Sequence, residues 1–263
     1  MIIVKIGGGS QINIAGIIED LAALDEPFII VHGANALRDK LAEALGQPKQ
    51  VLTSVKGYTS VYSDEKLLDV MMMAYAGLRN KRIVEKCQQH GINAVGLTGL
   101  DGRTVQGTRN KGIRVYQNKK LKIVRDLSGK PETVNTALLQ LLLDNGYVPV
   151  LTVPIIDEQN SAVNTENDDV VRVLQKALGA GTVINLIEVP GFLLDKNDPA
   201  TLIKAVSAAE LEAREQQVEG RMKRKMLAIR KLFEQGATKV IISDGRGAHP
   251  IQDALAAKGT VIE

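Results

Sequence analysis

The stretch MIIVKIGGG, from Met1 to Gly9, decides the fold of this chain. Residues 2–6 are apolar except for Lys5, and so dense an apolar run predicts a central strand of a parallel sheet that is covered on both faces. The three glycines that follow predict a tight turn in which backbone N–H groups can close on an anion, because glycine has no Cβ. The stretch therefore predicts either a phosphate site, with Lys5 as its cation, or a plain buried strand whose lysine reaches solvent. The glycines match neither a Walker A motif nor GxGxxG.

The composition is that of one ordinary globular domain spanning residues 1–263, with 44% hydrophobic and 24% charged residues. A single cysteine, Cys87, cannot form an internal disulfide and fits a reducing cytoplasm. No apolar run approaches the ~18 residues that a membrane span needs. The net charge of +3 is too small to indicate nucleic acid. We therefore expect a cytoplasmic protein with neither a membrane nor a nucleic-acid partner.

Strand, glycine turn and helix occur twice near the N-terminus, which is the βαβ rhythm of an open parallel sheet in an α/β fold. A soft boundary at Gly179 and Gly181 divides the chain into lobes of residues 1–178 and 179–263. Strands are predicted at 2–6, 28–31, 94–97, 148–154, 182–186, 238–243 and 260–262, and helices at 13–24, 36–45, 64–90, 135–144, 164–178, 220–235 and 249–258. In the long helix 64–90, the run Met71 to Met73 indicates packing in the core or at a subunit interface, so we expect a homodimer.

Residues 103–125 hold eight cations and no acid, although the whole chain carries only +3. Apolar residues alternate with these cations, and Asn118 lies near the middle. The pattern predicts a rather exposed β-hairpin. It serves either as an electropositive surface for an acidic partner or as an ordinary solvated face.

Parallel α/β sheets bind ligands at the carboxyl ends of their strands. Two lysines from opposite ends of the chain, Lys5 and Lys225, would suit phosphoryl transfer there, because fixed cations stabilise the negative charge of its transition state. Asp168 could hold both lysines by ion pairing. Alternatively, Asn164 and Asp168 only cap the helix that they introduce, and Lys225 is a solvated lysine.

Four segments together, VKIGGG, VHGAN, NTENDD and GRMKRK, resemble the amino acid kinase family over essentially the whole chain. The chain is most similar to the acetylglutamate kinase branch and, within it, to kinases that act on aminoadipate or glutamate held by the amino-group carrier protein LysW. The resemblance implies a three-layer αβα sandwich with the acyl substrate in the N-terminal part and ATP with Mg²⁺ in the C-terminal part. It also implies phosphorylation of a side-chain carboxylate to an acyl phosphate, with no dedicated protein ligands for the metal.

By position, the resemblance implies that Lys5 and Lys225 stabilise the transferring phosphoryl group and that Asp168 organises them. The implied substrate contacts are Gly33, Ala34, Asn35 and Asn164. The implied nucleotide contacts are Gly7, Gly8, Gly9, Ile187, Glu188, Gly191, Ser243, Asp244 and Gly245. The carrier protein would meet a patch of Arg109, Lys111, Arg114 and Lys122.

Three positions depart from the family pattern. Gly33-Ala34-Asn35 stands where an all-glycine loop is usual, Val61 stands where an arginine usually holds the substrate's α-carboxylate, and Ile187-Glu188 replaces a hydroxyl residue followed by an acid. At Val61, either Lys56 or Lys66 substitutes for the arginine, or the natural acceptor has that carboxylate modified.

Three functions remain open on the sequence alone. The chain is a kinase for a carrier-bound acid, a kinase for free N-acetylglutamate, or a non-catalytic amino-acid sensor on the same fold. The retained lysines and aspartate favour catalysis, because a sensor has no need of transition-state cations.

Overall fold

The computed structural model of the chain describes residues 1–55, 57, 59–117, 120–195, 197–216 and 220–263, and the side chains of residues 117 and 221–225 lie outside the description. In chain order its strands are β1 (Ile2–Ile6), β2 (Phe28–His32), β3 (Val51–Thr53), β4 (Thr59–Val61), β5 (Ala94–Thr98), β6 (Val105–Arg109), β7 (Ile113–Gln117), β8 (Lys120–Val124), β9 (Gly129–Val134), β10 (Val148–Thr152), β11 (Ile155–Ile156), β12 (Ala162–Val163), β13 (Thr182–Ile187), β14 (Phe192–Leu193), β15 (Leu202–Ile203), β16 (Ala205–Val206), β17 (Lys239–Asp244) and β18 (Thr260–Ile262).

The α-helices lie between these strands and mostly coincide with the predicted ones. They are α1 (Ile14–Ala22), α2 (Asn35–Ala44), α3 (Glu65–Met71), α4 (Asn80–Gln89), α5 (Thr136–Asp144), α6 (Asn167–Leu178), α7 (Leu211–Gln216), α8 (Gly220–Glu234) and α9 (Pro250–Leu255). None of the described helices is long and apolar enough to cross a membrane.

The main sheet has eight strands in the order β16-β18-β17-β13-β1-β2-β10-β5. β1 pairs in parallel with β2 on one side and with β13 on the other. Every residue of β1 is buried, Lys5 included. The prediction of a central, doubly covered strand is therefore confirmed, and the sheet is parallel apart from the antiparallel pair of β17 and β18.

Apolar side chains cover both faces of the sheet. On one face Ile3 joins a cluster with residues of α3, α6 and α8. On the other face Ile2, Val4 and Ile6 join a cluster with residues of α1, α4 and α9. This arrangement is the expected αβα sandwich, since successive strand residues point to opposite faces.

The long helix expected over 64–90 is not uniform. Between α3 and α4 the chain forms a π-helical segment, Met72–Arg79. Tyr75 in this segment is 2% exposed. Within the run Met71–Met73, Met71 lies in the core and Met73 is exposed. A π-helical turn shifts the side chains that follow to a different face, and such turns often occur near functional sites.

The basic stretch 103–125 is divided between two sheets, so the prediction of one continuous hairpin is wrong. Its first part, β6, pairs with β9, a strand that the sequence pattern did not predict. β9 can approach because Gly107 has no side chain, and a Cβ there would lie 2.0 Å from the Lys130 carbonyl oxygen. Only β7 and β8 form a hairpin, and Asn118 between them lies outside the described residues.

Candidate active site

Lys5 projects from the end of β1 toward the first turn of α6. Its Nζ lies 3.1 Å from Asp168 Oδ1, and the two side chains are 11% and 24% exposed. Asp168 is the second residue of α6, where the positive end of the helix dipole also favours a carboxylate. The ion pair expected between Lys5 and Asp168 is therefore present, and it holds one cation in a fixed, largely desolvated position.

Two glycine loops meet directly beside this pair, one after β1 and one after β2. A Cβ added at Gly8 would lie 2.5 Å from the Asn35 nitrogen and 2.8 Å from the Ala34 nitrogen. The Gly33 N–H donates to the Ile6 carbonyl at 2.9 Å, and the Ala36 N–H donates to the Gly8 carbonyl at 2.9 Å. The loops are therefore in backbone contact, and only glycine fits at position 8.

Asn35, which departs from the family's glycine loop, has a specific partner. The Tyr75 hydroxyl donates to Asn35 Oδ1, and it reaches the loop from the π-helical segment. Burial raises the pKa of Tyr75 to about 12, so the hydroxyl keeps its proton at neutral pH and can donate. Tyr75 thus ties the loop after β2 to the helical layer, a contact that the sequence pattern did not predict.

Asn164 lies before α6 and does not cap it. The residue at the N-cap position is Glu166, and no side chain makes a capping hydrogen bond there. Asn164 Nδ2 instead donates to Ser63 Oγ at 2.9 Å. The alternative in which Asn164 is only a helix cap is therefore wrong, and so is the one for Asp168, which lies inside the first turn and pairs with Lys5.

The buried carboxylate of Asp126 fixes the residues that bond Asn164. Asp126 is 4% exposed and accepts the Ser63 N–H at 3.2 Å. It also accepts the N–H and the hydroxyl of Ser128, at 3.2 and 2.5 Å. The Asn164 N–H donates to the Leu127 carbonyl at 2.8 Å, next to this carboxylate. Ser63, Asp126 and Ser128 therefore fix Asn164, and no sequence pattern predicted a role for any of the three.

Val61 packs its side chain against the core and offers no charge. Of the two lysines considered as substitutes, Lys56 lies outside the described residues. Lys66 is exposed and lines a cleft of about 380 Å³ between the loop 46–50 that follows α2 and the start of α3. A buried cation, Arg38, lies one turn beyond Asn35 on α2 and is 5% exposed.

Arg38 is held by its neighbour on α2. Its Nε and Nη2 donate to Asp39 Oδ1 at 2.9 and 2.6 Å, and Lys49 bonds the other oxygen of Asp39. Partial burial opposes ionisation of Asp39, but the hydrogen bonds from Lys49 and Arg38 outweigh it and keep the pKa of Asp39 below its usual value. Asp39 is therefore ionised at neutral pH and pairs with both cations, so the group of three keeps one net positive charge.

The residues expected to bind the nucleotide begin at the adjoining ends of β1, β13 and β17. The Gly7 N–H donates to the Leu186 carbonyl at 2.9 Å, and the Gly245 N–H donates to the Ile187 carbonyl at 2.7 Å. Glu188 bends over the glycine turn, where the Gln11 N–H donates to its Oε1 at 2.6 Å. A Cβ at Gly9 would lie 2.0 Å from the Glu188 carboxyl carbon.

Three other expected nucleotide residues are engaged elsewhere. Gly191 packs against Thr260 on β18, where a Cβ would lie 2.6 Å from the hydroxyl oxygen. Ser243 is 2% exposed inside β17. Asp244 pairs with Arg246 at 2.7 Å, and this hydrogen bond holds the pKa of Asp244 below its usual value despite partial burial.

The second expected lysine, Lys225, is on α8, but its side chain lies outside the described residues. Further along α8, Met226, Ile229 and Leu232 share a core cluster with Val170 and Leu174 of α6. The helix that carries Lys225 therefore packs in the same layer as the helix that carries Asp168.

The cations expected to meet a carrier are not equivalent. Arg109 is half-buried, its Nε donates to the Asp126 carbonyl at 3.1 Å, and its N–H donates to Glu158 Oε2 at 2.9 Å. Lys111, Arg114 and Lys122 are exposed. Arg109 is thus built into the support of Asn164, whereas the other three face solvent.

The arrangement can bind and polarise oxyanions. A desolvated cation, two backbone loops from adjacent strands and a fixed amide lie at the carboxyl edge of the sheet, where α/β proteins place their ligands. Among the described residues there is no group of three or more His, Cys, Asp or Glu side chains that could hold a metal ion. The groups of this site that can stabilise negative charge are the Lys5 ammonium and the backbone N–H dipoles of the loops.

The comparisons with known proteins agree with this geometry. A family model described as the amino acid kinase family matches residues 1–244. The LysW-aminoadipate kinase of Thermus thermophilus is 40% identical over 268 residues, covering 100% of both chains. The acetylglutamate kinase of Methanopyrus kandleri is 30% identical over 264 residues, also covering 100% of both. An N-acetylglutamate synthase structure from Neisseria gonorrhoeae has a TM-score of 0.79 at 19% identity, covering 99% of this chain and 58% of that one. This chain belongs to the amino acid kinase family.

Proposed function

We propose that this protein is an ATP-dependent kinase for the side-chain carboxylate of aminoadipate or glutamate whose amino group is attached to an acidic carrier protein. The observation that carries the proposal is the desolvated pair of Lys5 and Asp168 beside the two glycine loops. The similarity to a LysW-aminoadipate kinase over the whole chain supports this choice of acceptor.

In the proposed reaction a carboxylate oxygen of the acceptor attacks the γ-phosphorus of ATP. The bond from that phosphorus to the β,γ-bridging oxygen breaks, ADP leaves, and an acyl phosphate forms. The acceptor is already ionised at neutral pH, so no general base is required. The task of the chain is to position two anions and to stabilise the charge that spreads over the transferring group.

Lys5 is the cation best placed for this role, because Asp168 holds it at a fixed point beside the loops. Lys225 is proposed as its counterpart from the other side. Mg²⁺ would be held mainly by the nucleotide phosphates and water, which is its usual preference, and would supply further neutralisation of charge.

Asn164 and the loop Gly33–Asn35 are proposed to bind the acceptor. The network of Ser63 and Asp126 holds the Asn164 amide in one orientation, and Tyr75 holds the loop. The nucleotide is proposed to lie over the glycine turn of residues 7–9 and over the ends of β13 and β17, which belong to the lobe of residues 179–263. Glu188 would then have to move from Gly9, where its carboxylate repels phosphate.

The carrier is favoured over a free small acid by the exposed cations of residues 103–125, among them Lys111, Arg114 and Lys122. An electropositive surface accelerates encounter with an acidic protein, whereas a small acyl acid would gain little from it. We also propose a cytoplasmic homodimer, since Met73 and Leu78 expose 46% and 50% of their surfaces on the π-helical segment.

The test is steady-state ADP release with three acceptors: aminoadipate on a LysW-type carrier, glutamate on the same carrier, and free N-acetylglutamate. The proposal expects kcat/KM for one of the loaded carriers to exceed that for the free acid by about a hundredfold or more, as electrostatically steered association allows. Preference for the free acid would replace the proposal with an acetylglutamate kinase. Tight binding of an amino acid without ADP release from any acceptor would establish a sensor.

A further inference from the structure

The outer face of the hairpin β7–β8 has a feature that charge alone does not explain. The register pairs Arg114 with Ile123 and Tyr116 with Leu121. Because directly opposed residues of an antiparallel pair point to the same side, these four side chains share one face. Tyr116, Leu121 and Ile123 are 68%, 56% and 63% exposed, so the face is both apolar and open to solvent.

The hairpin is attached to the body of the protein along the edge of β7 and through its opposite face. Val115 on that face is 6% exposed and forms an antiparallel bridge with Ser54. The Val55 N–H donates to the Arg114 carbonyl at 2.9 Å. The hairpin is therefore fixed to the rest of the protein by other surfaces, while its apolar outer face stays exposed.

Cations adjoin this apolar centre. Arg114 lies on the same face, and Lys111 and Arg125 are exposed at the base of the hairpin. Lys120 and Lys122 are exposed too, but their register with Gln117 and Val115 places them on the opposite face. Interfaces between proteins commonly have an apolar, aromatic centre within a charged rim, and tyrosine and arginine are frequent hot spots in them. The outer face has this composition.

The charge of the rim selects among possible occupants. A second copy of the chain would set two cationic hairpins against each other, and like charges across an interface cost several kcal/mol. A nucleic acid would satisfy the cations and could stack a base on Tyr116, but it would leave the aliphatic side chains of Leu121 and Ile123 without an apolar partner. An acidic protein with an apolar centre satisfies both the rim and the middle.

We propose that the outer face of the hairpin docks the acidic carrier protein, with Tyr116, Leu121 and Ile123 as the apolar centre of the contact and the adjoining cations as its rim. This inference rests on the proposed function and extends it. The rim governs the salt-dependent rate of encounter, whereas the apolar centre supplies affinity that persists when salt screens the charges.

The test compares two variants for binding to a LysW-type carrier loaded with aminoadipate. One variant combines L121S with I123S, and the other combines K111E with R114E. The matched control for the apolar variant is L141S with L194S, since Leu141 and Leu194 are 60% and 63% exposed at other places. Circular dichroism and thermal melting verify that each variant is folded, and size-exclusion chromatography records its oligomeric state.

The expected result is that the apolar variant raises Kd for the loaded carrier by about tenfold or more at both low and high salt. The control should bind as the wild type does, and KM for ATP should not change. The charge variant should lose affinity at low salt and approach the wild type at high salt.

Wild-type carrier affinity in the apolar variant, with weakened binding in the charge variant, would overturn the apolar centre and leave the proposed function intact. A changed oligomeric state with unchanged carrier binding would assign the face to a second copy and would equally overturn it. If the wild-type enzyme does not phosphorylate the loaded carrier, the proposed function itself fails.

Discussion

The buried end of β1 and the exposed hairpin both present cations, but they hold them in opposite ways. Lys5 is 11% exposed in its side chain and has one carboxylate partner at 3.1 Å. The hairpin cations are exposed and follow one another along a segment without acids. A fixed, desolvated charge acts strongly on nearby atoms, whereas a solvated charge acts weakly and over longer range. The comparison separates a site for chemistry from a surface for encounter.

The largest effect should come from removing the buried cation. We expect K5A to lower kcat about 100-fold, on the order of 3 kcal/mol, because Lys5 meets charge that develops in the transition state. KM for the acceptor should change much less. The control is K176A, which removes an exposed lysine from α6.

A thermal melt must accompany K5A, since the variant removes the half-buried ion pair between Lys5 and Asp168. If folded K5A has the kcat of the wild type, Lys5 has no part in the mechanism. The buried cation would then be no more important for catalysis than the exposed cations of the hairpin.

The next largest effect should come from the partner of Lys5. D168N keeps the size of the side chain but removes its charge, so Lys5 loses its anchor. We expect kcat to fall about tenfold, the value of a charged hydrogen bond. The control is D169N, because Asp169 lies on the same helical turn and pairs with Arg172 at 3.6 Å. Equal losses in the two variants would show that the helix terminus matters and the ion pair does not.

The contrast between buried and exposed cations also applies to Val61. An acceptor attached through its amino group keeps a free α-carboxylate, which needs a cation because Val61 offers none. Two cations on neighbouring helices could bind it: Arg38, which is buried, and Lys66, which is exposed. We expect R38M to raise KM for the acceptor about tenfold, because a fixed guanidinium loses less entropy on binding. K66A should change it by less than about twofold. A larger rise in KM with K66A than with R38M would show that Lys66 binds the α-carboxylate.

A smaller effect should follow from the loop anchor. Y75F removes the hydroxyl that bonds Asn35, at a cost of about 1 kcal/mol, so KM for the acceptor should rise about fivefold. KM for ATP should not change, and the control is Y147F, because Tyr147 is exposed and precedes β10 at the amino end of that strand. A uniform loss of Tm in Y75F without any change in KM would mean that Tyr75 is only a core residue.

The smallest effect at physiological salt should come from the hairpin charges. K111E with R114E should lower the association rate of the loaded carrier several-fold, because exposed pairs are worth less than about 1 kcal/mol each. The difference should disappear as salt rises. The control, K176E with K204E, carries the same reversal at distant exposed positions. Stopped-flow association rates over a salt series measure both effects.

Local patterns were sufficient for the frame of the molecule. The apolar runs of β1, β2 and β13 predicted the sheet, because a strand that is buried on both faces must be apolar at nearly every position. The sequence was also sufficient to predict an ion pair between Lys5 and Asp168, because each residue lies near the end of a predicted element.

Contacts between distant parts of the chain could not be predicted in this way. Tyr75 and Asn35 are 40 residues apart, and Asn164 and Ser63 are 101 residues apart. No periodic signal connects such residues, because their contact depends on how the helical layer crosses the sheet. The division of the basic stretch between β9 and the hairpin is of the same kind, since alternation predicts a strand but not its partner.

The central claim is that the fixed cation at the end of β1 serves transfer of a phosphoryl group to a carboxylate on the carrier. The most direct measurement is to mix enzyme, ATP and the aminoadipate-loaded carrier and to trap any acyl phosphate with hydroxylamine. The mass of the carrier is then determined by mass spectrometry. The account predicts a hydroxamate on the carrier's aminoadipate with the wild-type enzyme and about a hundredth of that rate with K5A. An unmodified carrier that nevertheless binds tightly, or equal hydroxamate with both enzymes, would contradict it.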